Sequence, residues 1–243
     1  APDAEWQILK EHYNSPFFFD AQVLKNTNVV YVELNKIYRQ NEQQFINLLN
    51  NVRNNTMTEY DFELLQERYN PSFRPKHDEQ YITIASHNFK ADKINADELS
   101  QLHGEAFTFK GAIEGDFSEK ALPAEMQLTL KEGAQIMFIK NDVGEDRKYY
   151  NGKIATIKSI HKDTIVVTMR DEGVDFELKK ETWENIRYQF NKDKNKIDEE
   201  IIGKYIQYPI RLAWAITIHK SQGLTFEKVV IDKALNPTHV SLY

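Results

Sequence analysis

The sequence predicts an α/β protein with a parallel sheet, interrupted by a small all-β barrel. In the first 140 residues, short β-branched runs alternate with helical patterns, which is typical of strands packed between helices. From 141 to 204 the pattern changes to several short strands joined by polar turns. The α/β pattern resumes at Leu212. We therefore interpret 141–204 as an insertion into a domain formed by 1–140 and 205–243.

Residue spacing predicts the elements of the first part of the chain. A helix begins with a capping-box pattern at Asn41 and Gln44. Its apolar side chains then recur at steps of three and four residues: Phe45, Leu48, Leu49 and Val52. The other predicted elements are strands at 29–34 and 81–86, helices that start at Thr58 and span 91–102, and two strands within 127–139.

The inserted segment is predicted from turn signals and alternation. Its predicted elements are strands at 154–160, 164–169 and 174–178, a loop or solvated helix at 191–200, and a strand at 201–210. Trp183, Tyr188 and Phe190 could stack on bases, but in a small barrel we expect them to form the core. We expect the barrel to fold as a separable part.

Composition limits the classes of protein that this chain can belong to. Its 243 residues can bury one large core or two small ones, and the net charge of −6 argues against binding nucleic acid by overall attraction. The absence of Cys excludes disulfides and thiolate metal sites and suits a reducing, cytoplasmic location. We find no apolar run that could span a membrane and no signal-peptide plan at the start.

The most informative stretch is 214–232, WAITIHKSQGLTFEKVVID. Polar residues between Thr217 and Gly223 lie between two apolar runs, the arrangement by which α/β proteins present a site at the end of a strand. Gly223 permits a left-handed backbone, and its N–H could meet a phosphate. From the residues alone, a helix stopped by glycine with a solvated tip explains the pattern equally well.

This stretch resembles motif V of superfamily-1 helicases, in the petite-integration-frequency and RecD-like branch, whose form is T-x-H-K-S-Q-G. The resemblance implies that Thr217, His219 and Lys220 contact DNA phosphates, and that Gln222 and Gly223 lie toward the nucleotide. The sequence departs from the other large branch, which has an acidic residue where Thr225 stands here.

Two further segments resemble motifs of the same branch. Residues 34–53 resemble motif IV, which implies that Arg39 reaches the terminal phosphate of ATP; a lone arginine is more often a surface ion-pair partner. Residues 82–95 resemble a DNA-contact motif, which implies that Ser86, His87 and Asn88 bind the strand. The alternative for Asn88 is a local turn that satisfies only nearby backbone.

Residues 128–152 resemble the start of the family's inserted Src-homology-3-like barrel. A phosphate-cradling Gly-Lys-Ser/Thr loop is missing, because Gly152-Lys153 is followed by Ile154 and Gly203-Lys204 by Tyr205. The His residues have no metal-binding spacing. We therefore predict no metal site and expect the Mg²⁺ ligands of the whole enzyme to lie outside this chain.

Together the resemblances imply the second RecA-like motor domain of an ATP-dependent 5′–3′ DNA helicase, as a C-terminal fragment inactive alone. Its implied partners are single-stranded DNA and the first motor domain of the same polypeptide, with ATP and Mg²⁺ as cofactors. The chief alternative is a non-catalytic nucleic-acid-binding module that uses the barrel. A third is a protein-interaction platform on a dead helicase.

Overall fold

The computed structural model describes residues 3–33, 42–76, 79–144, 147–162, 164–169, 173–191 and 196–232. The chain divides into two compact units, 1–65 and 66–243. Helices are the regular elements described in the first unit, and both helices and β-sheets build the second.

Four helices begin in the first unit: α1 (Asp3–Leu9), α2 (Gln22–Lys25), α3 (Gln43–Asn54) and α4 (Glu59–Glu67). Helix α4 starts after Thr58, as predicted. The Asp61 carboxylate accepts hydrogen bonds from the Thr58 N–H and hydroxyl, both at 2.8 Å, and the Asp61 N–H donates to the Thr58 hydroxyl oxygen at 3.3 Å. These bonds lower the pKa of Asp61, the Thr58 N–H most.

The predicted cap and apolar face of α3 are realised in part. Asn41 lies outside the described residues, and Glu42 precedes the helix without a side-chain cap. Within the face, Leu48 is buried, whereas Phe45 and Leu49 remain exposed. The Gln44 amide donates to the Tyr60 hydroxyl at 2.5 Å rather than to the helix start.

The strand predicted at 29–34 is wrong for the part that the structure describes. Residues 29–33 have no regular structure, and Val30, Tyr31 and Val32 are 82%, 90% and 78% exposed. A strand requires a neighbour for its N–H and C=O groups. Among the described residues of the first unit, none forms a strand with which this segment could pair.

The second unit contains the following elements in chain order: β1 (Ile82–Ala85), α5 (Asn88–Gln101), β2 (Phe107–Lys110), β3 (Ala112–Gly115), β4 (Gln127–Leu130), β5 (Gln135–Phe138), β6 (Ile154–His161), β7 (Thr164–Met169), β8 (Val174–Leu178), β9 (Glu181–Asn191), β10 (Lys196–Gln207), β11 (Ile210–Leu212), β12 (Ala215–Thr217), α6 (Ile218–Ser221) and β13 (Val229–Ile231). Most predicted strands are present. Strands β2 and β3 were not predicted from the sequence, and α5 begins three residues earlier than predicted.

A parallel sheet of three strands has the order β12-β1-β13. Ala85 at the end of β1 lies opposite Thr217 of β12, and Ile84 lies opposite Ile231 of β13. Helix α5 covers one face of this sheet, where Ala91 packs against Ala85 and Ala215. The small side chains let the helix approach the strands closely. The predicted parallel α/β part is confirmed.

The remaining strands form antiparallel sheets: β11-β5-β6-β7-β8, β3-β10-β9 and β2-β4. Their main core contains three nearly parallel aromatic rings. The ring centroids of Phe138 and Tyr149 are 4.1 Å apart, and that of Phe176 lies 6.1 Å from the first and 6.0 Å from the second. In β8, Phe176 and Leu178 turn toward this core while Asp175 and Glu177 remain outside, as predicted. Val174, predicted on the same inner face, is exposed at the start of the strand.

These antiparallel sheets extend past both predicted limits of the insertion. Strand β5 precedes 141 and β11 follows 204, yet both belong to the sheet of β6, β7 and β8. Ile136 and Ile157 pack in one core with Ile94 of α5 against it. The limits 141 and 204 therefore cut through a shared core, and independent folding of the segment between them stays a prediction.

The loop or helix predicted at 191–200 is wrong for the residues described there, because Asn191 and 196–200 belong to the paired antiparallel strands β9 and β10. The two strands pair from Lys196 opposite Asn191 to Gln207 opposite Glu181, and this backbone pairing outweighs the high charge of the segment. Trp183 is partly buried with its ring 5.9 Å from that of Tyr205, as expected for the core. Tyr188, 63% exposed, is not part of a core, and the side chain of Phe190 lies outside the described residues.

Candidate nucleic-acid interface

Two segments singled out from the sequence meet at one edge of the parallel sheet. Strands β1 and β12 are parallel neighbours and end in register at Ala85 and Thr217. The residues that follow each strand therefore leave the same carboxyl edge side by side, the usual position of ligand sites in such sheets. Ser86 to Asn88 follow β1, and Ile218 to Gly223 follow β12.

After β12 the chain makes the single helical turn α6. Thr217 is 4% exposed, and its hydroxyl oxygen accepts a hydrogen bond from the Lys220 N–H at 3.4 Å, so it caps the turn. His219 and Lys220 are exposed. The structure thus presents the two basic residues to solvent and assigns Thr217 a role inside the loop.

After β1 the chain enters α5. His87 is the residue before the helix, and its Nδ1 lies 2.8 Å from the Ser86 hydroxyl oxygen. Both His87 and Asn88 are exposed. No hydrogen bond from the Asn88 side chain occurs within the described ranges, so the local-turn alternative has no support there. The amino end of α5, which carries partial positive charge, also lies at this edge.

Gly223 ends the loop in the left-handed conformation that the sequence predicted, with φ of 83°. No atom lies within 4 Å of the position that a Cβ would occupy, and the neighbouring Gln222 is exposed. The backbone can therefore approach a ligand closely at this point. Arg39, the other residue predicted to face the nucleotide, lies outside the described residues.

Asn95, which was not among the residues predicted from the sequence, fixes the strand that carries this loop. Its side-chain amide donates to the Ala215 carbonyl oxygen at 2.9 Å, and its side-chain oxygen accepts from the Ala215 N–H at 2.9 Å. The amide thus occupies the place of a neighbouring strand beside β12. A polar residue in the middle of α5, at a position near the buried Ala91, was the available signal.

A second missed contact lies on the far side of β1. The Lys90 Nζ is 2.6 Å from the carboxylate of Asp232, which follows β13 at the same edge. This pair joins the first turn of α5 to the end of β13. Because Lys90 of α5 is already paired, it is less available to an anionic ligand at this edge than the exposed His219 and Lys220 of α6.

The described residues define what else the chain can hold. They include no group of three or more His, Cys, Asp or Glu side chains placed to bind a metal ion. None of the helices in the described ranges combines the length and apolar character that crossing a membrane requires.

Comparison with known proteins relates the chain to helicases. ATP-dependent DNA helicase Pif1 of Campylobacter jejuni is 28% identical over 235 residues, which cover 90% of this chain and 51% of that protein. ATP-dependent DNA helicase Pif1 of a Psychrobacter species is 32% identical over 195 residues, covering 61% of this chain and 29% of that protein. The chain is similar to the Pif1 helicases. It spans about half or less of the length of these relatives.

Solved Pif1 structures share the fold. Pif1 of a Bacteroides species in complex with ADP-AlF4 superposes with a TM-score of 0.76 at 39% identity, covering 95% of this chain and 52% of that one. The Bacteroides Pif1 structure bound to ssDNA gives 0.61 at 39% identity, with the same coverage. No protein-family model matches the chain. The Pif1 likeness confirms the predicted helicase resemblance and the RecA-like α/β fold with its added antiparallel sheets.

Proposed function

We propose that this Pif1-like chain is the second RecA-like motor domain of an ATP-dependent 5′–3′ DNA helicase. In that protein it contributes contacts to single-stranded DNA and one side of the ATP cleft, and it is inactive alone. The names of the Pif1 relatives, and the Bacteroides Pif1 structures with ADP-AlF4 and with ssDNA, support the class of activity.

One observation carries the proposal for this chain. The in-register ends of β1 and β12 bring Ser86 to Asn88 beside Thr217 to Lys220, although about 130 residues separate the two segments in sequence. Both segments were assigned to DNA from sequence motifs alone, and they form one exposed edge. A backbone phosphate at this edge can receive hydrogen bonds from several side chains at once.

The residues of the edge have different tasks in this proposal. Lys220 and His219 offer exposed donors to phosphates. Ser86, His87 and Asn88 bind the strand beside them, at the amino end of α5. Thr217 acts on the DNA indirectly, because its buried hydroxyl holds the turn on which Lys220 stands.

The nucleotide side begins within the same loop. Gln222 and Gly223 lie two and three residues after Lys220. Arg39 is the other residue of this chain that we propose to act on the nucleotide. ATP with Mg²⁺, whose ligands belong to the rest of the enzyme, supplies the free energy for movement. A displacement of Gly223 changes the position of α6 directly, because one helical turn connects the two contacts.

The barrel is a weaker candidate for the nucleic-acid surface. Tyr188 on β9 is exposed and could stack on a base, but Glu199 lies directly opposite it on β10. A carboxylate beside the ring repels the phosphates that accompany a base. The alternative of a binding module that uses the barrel is therefore less well supported than the sheet edge.

The test uses the complete protein with Lys220→Ala and, as a matched control, Lys179→Ala, an exposed lysine after β8. Affinity for labelled single-stranded DNA is measured by fluorescence anisotropy over a series of salt concentrations. We expect Lys220→Ala to weaken binding and to reduce the salt slope by about 0.7, the value for one phosphate contact on a single strand. Equal slopes for both variants would contradict the proposal.

A further inference from the structure

A pocket of about 280 Å³ lies directly beside the proposed DNA edge. Helix α5, the segment from Leu122 to Met126, and the strands β11 and β12 form its walls. Its polar lining includes Asp92, Asn95, Glu125, Arg211, Thr217 and Lys220. Its volume is near the lower limit of small-molecule sites, so it suits a single base rather than a nucleoside triphosphate.

The charged groups of this pocket are incompletely satisfied. Arg211 donates from Nη2 to the Pro123 carbonyl oxygen at 3.0 Å, and its buried Nε has no acceptor. Only one of the five N–H donors of a guanidinium therefore has a partner among the described residues. Unpaired buried donors are rare and call for an explanation, such as a ligand.

Carboxylates face this guanidinium without touching it. Glu125 and Asp92 both act on Arg211 electrostatically, yet neither forms an ion pair with it within the described ranges. Partial burial of its carboxyl raises the pKa of Glu125, and the nearby Asp92 raises it further. Glu125 as a whole residue nevertheless remains exposed. Opposite charges held apart across a pocket leave room for a ligand that has both acceptors and donors.

Guanine has this combination on its edges. Its O6 and N7 accept two hydrogen bonds from an arginine fork, and its N1–H and N2–H₂ groups donate to a carboxylate. Leu122, Met126 and Ile216 supply apolar surface for the faces of the ring. Lys220 borders both the pocket and the exposed edge, so one nucleotide can reach both with its phosphate and its base.

We propose that this pocket binds the guanine base of a single-stranded nucleotide, with Arg211 donating to O6 and N7 and Glu125 accepting from N1 and N2. This inference rests on the proposed function, because the phosphate of the same nucleotide lies at the DNA edge. The chain would then hold a strand more tightly where a guanine reaches the pocket.

The experiment uses the 243-residue chain and labelled oligo(dT) of about ten nucleotides with one central dG, dI or dA. A single guanine prevents association between strands, and inosine differs from guanine only by the missing N2 amino group. Anisotropy titrations into the range of about 10⁻⁴ M measure weak complexes. We expect the dG oligomer to bind about fivefold more tightly than the dI or dA oligomer.

Variants locate this preference. Glu125→Gln should reduce the preference for dG over dI, and Arg211→Lys, which keeps the charge but loses the fork, should reduce the preference for dG over dA, although Glu125 still favours dG in that variant. The control is Asp97→Asn, which removes an exposed carboxylate from helix α5 outside the pocket. It should leave the dG/dI and dG/dA affinity ratios unchanged. Circular dichroism checks that each variant is folded. Because Glu125 is exposed, Glu125→Gln should fold normally, so the test can be read even if the Arg211 variant does not fold.

The outcomes separate this inference from the proposed function. Equal binding of all three oligomers would overturn the guanine pocket while leaving the DNA edge in place. A guanine preference that both pocket variants leave undiminished would also overturn it, because the base would be recognised elsewhere. No binding to any oligomer would overturn the pocket together with the DNA contacts.

Discussion

Replacing Asn95 with alanine should destabilise the strand that carries the candidate DNA loop. Ala215 pairs through β12 with β1 on one side, and on the other side its N–H and C=O are bonded only by the Asn95 amide, at 2.9 Å each. Ala215 is 1% exposed. Removal of the amide leaves both backbone groups without a partner in a place that water reaches poorly.

The expected loss follows from these two groups. A buried donor or acceptor left unsatisfied costs about 1–3 kcal/mol, so two cost about 2–6 kcal/mol in free energy of unfolding. Asn95 is itself only partly buried, which lets some water enter after truncation and favours the lower half of that range. Even about 2 kcal/mol is a large fraction of the stability of a typical domain.

Urea unfolding followed by circular dichroism measures this loss in the 243-residue chain. The matched control is Asn88→Ala, at the exposed start of the same helix, which should change the unfolding free energy by less than about 0.5 kcal/mol. Asn95→Asp keeps the acceptor but places a carboxylate oxygen against the Ala215 carbonyl oxygen, so it should destabilise the chain at least as much as alanine. If Asn95→Ala matched the Asn88→Ala control, the two hydrogen bonds would not support β12 and the reasoning would fail.

Three other outcomes are expected. Arg39→Ala in the complete protein should lower ATP turnover by about 10³ to 10⁵, by analogy with arginine fingers, with little change in DNA affinity; normal turnover measured by phosphate release would make Arg39 a surface residue. The chain alone should hydrolyse no ATP and should bind single strands with dissociation constants at or above the non-specific range of about 10⁻⁴ to 10⁻⁶ M, which rise with salt. Nanomolar, salt-resistant binding would favour a stand-alone module. Gly203→Ala should lower the free energy of unfolding, measured in urea, by about 3 kcal/mol, because the added Cβ would lie 2.1 Å from the backbone oxygen of Asp116. An unchanged free energy of unfolding would show that the neighbouring bulge can open to make room for it.

Local signals in the sequence were sufficient for the parts of the structure that depend on near neighbours. The turn at Gly223 requires a left-handed backbone, which glycine adopts readily, and the structure has it. Helix α4 begins after Thr58 because a hydroxyl and a carboxylate three residues apart cap each other. Strand β8 alternates because its two faces meet core and solvent. Motif order added the helicase resemblance, which the Pif1 relatives confirm.

Contacts between distant residues were decided only by the tertiary structure. Val30 to Val32 have the composition of a strand but lie exposed, because β-propensity yields a strand only where a partner is available. The shared core of β5, β6 and β11, and the exposed ring of Tyr188, depend on which strands pair. Asn95 meets Ala215 across 120 residues, and the fold likewise brings Arg211 and Glu125 to the lining of one pocket. The sequence determined which side chains were available for binding, and the parallel pairing of β1 with β12 determined that they lie together, because hydrogen bonding between distant strands leaves no local pattern in the chain.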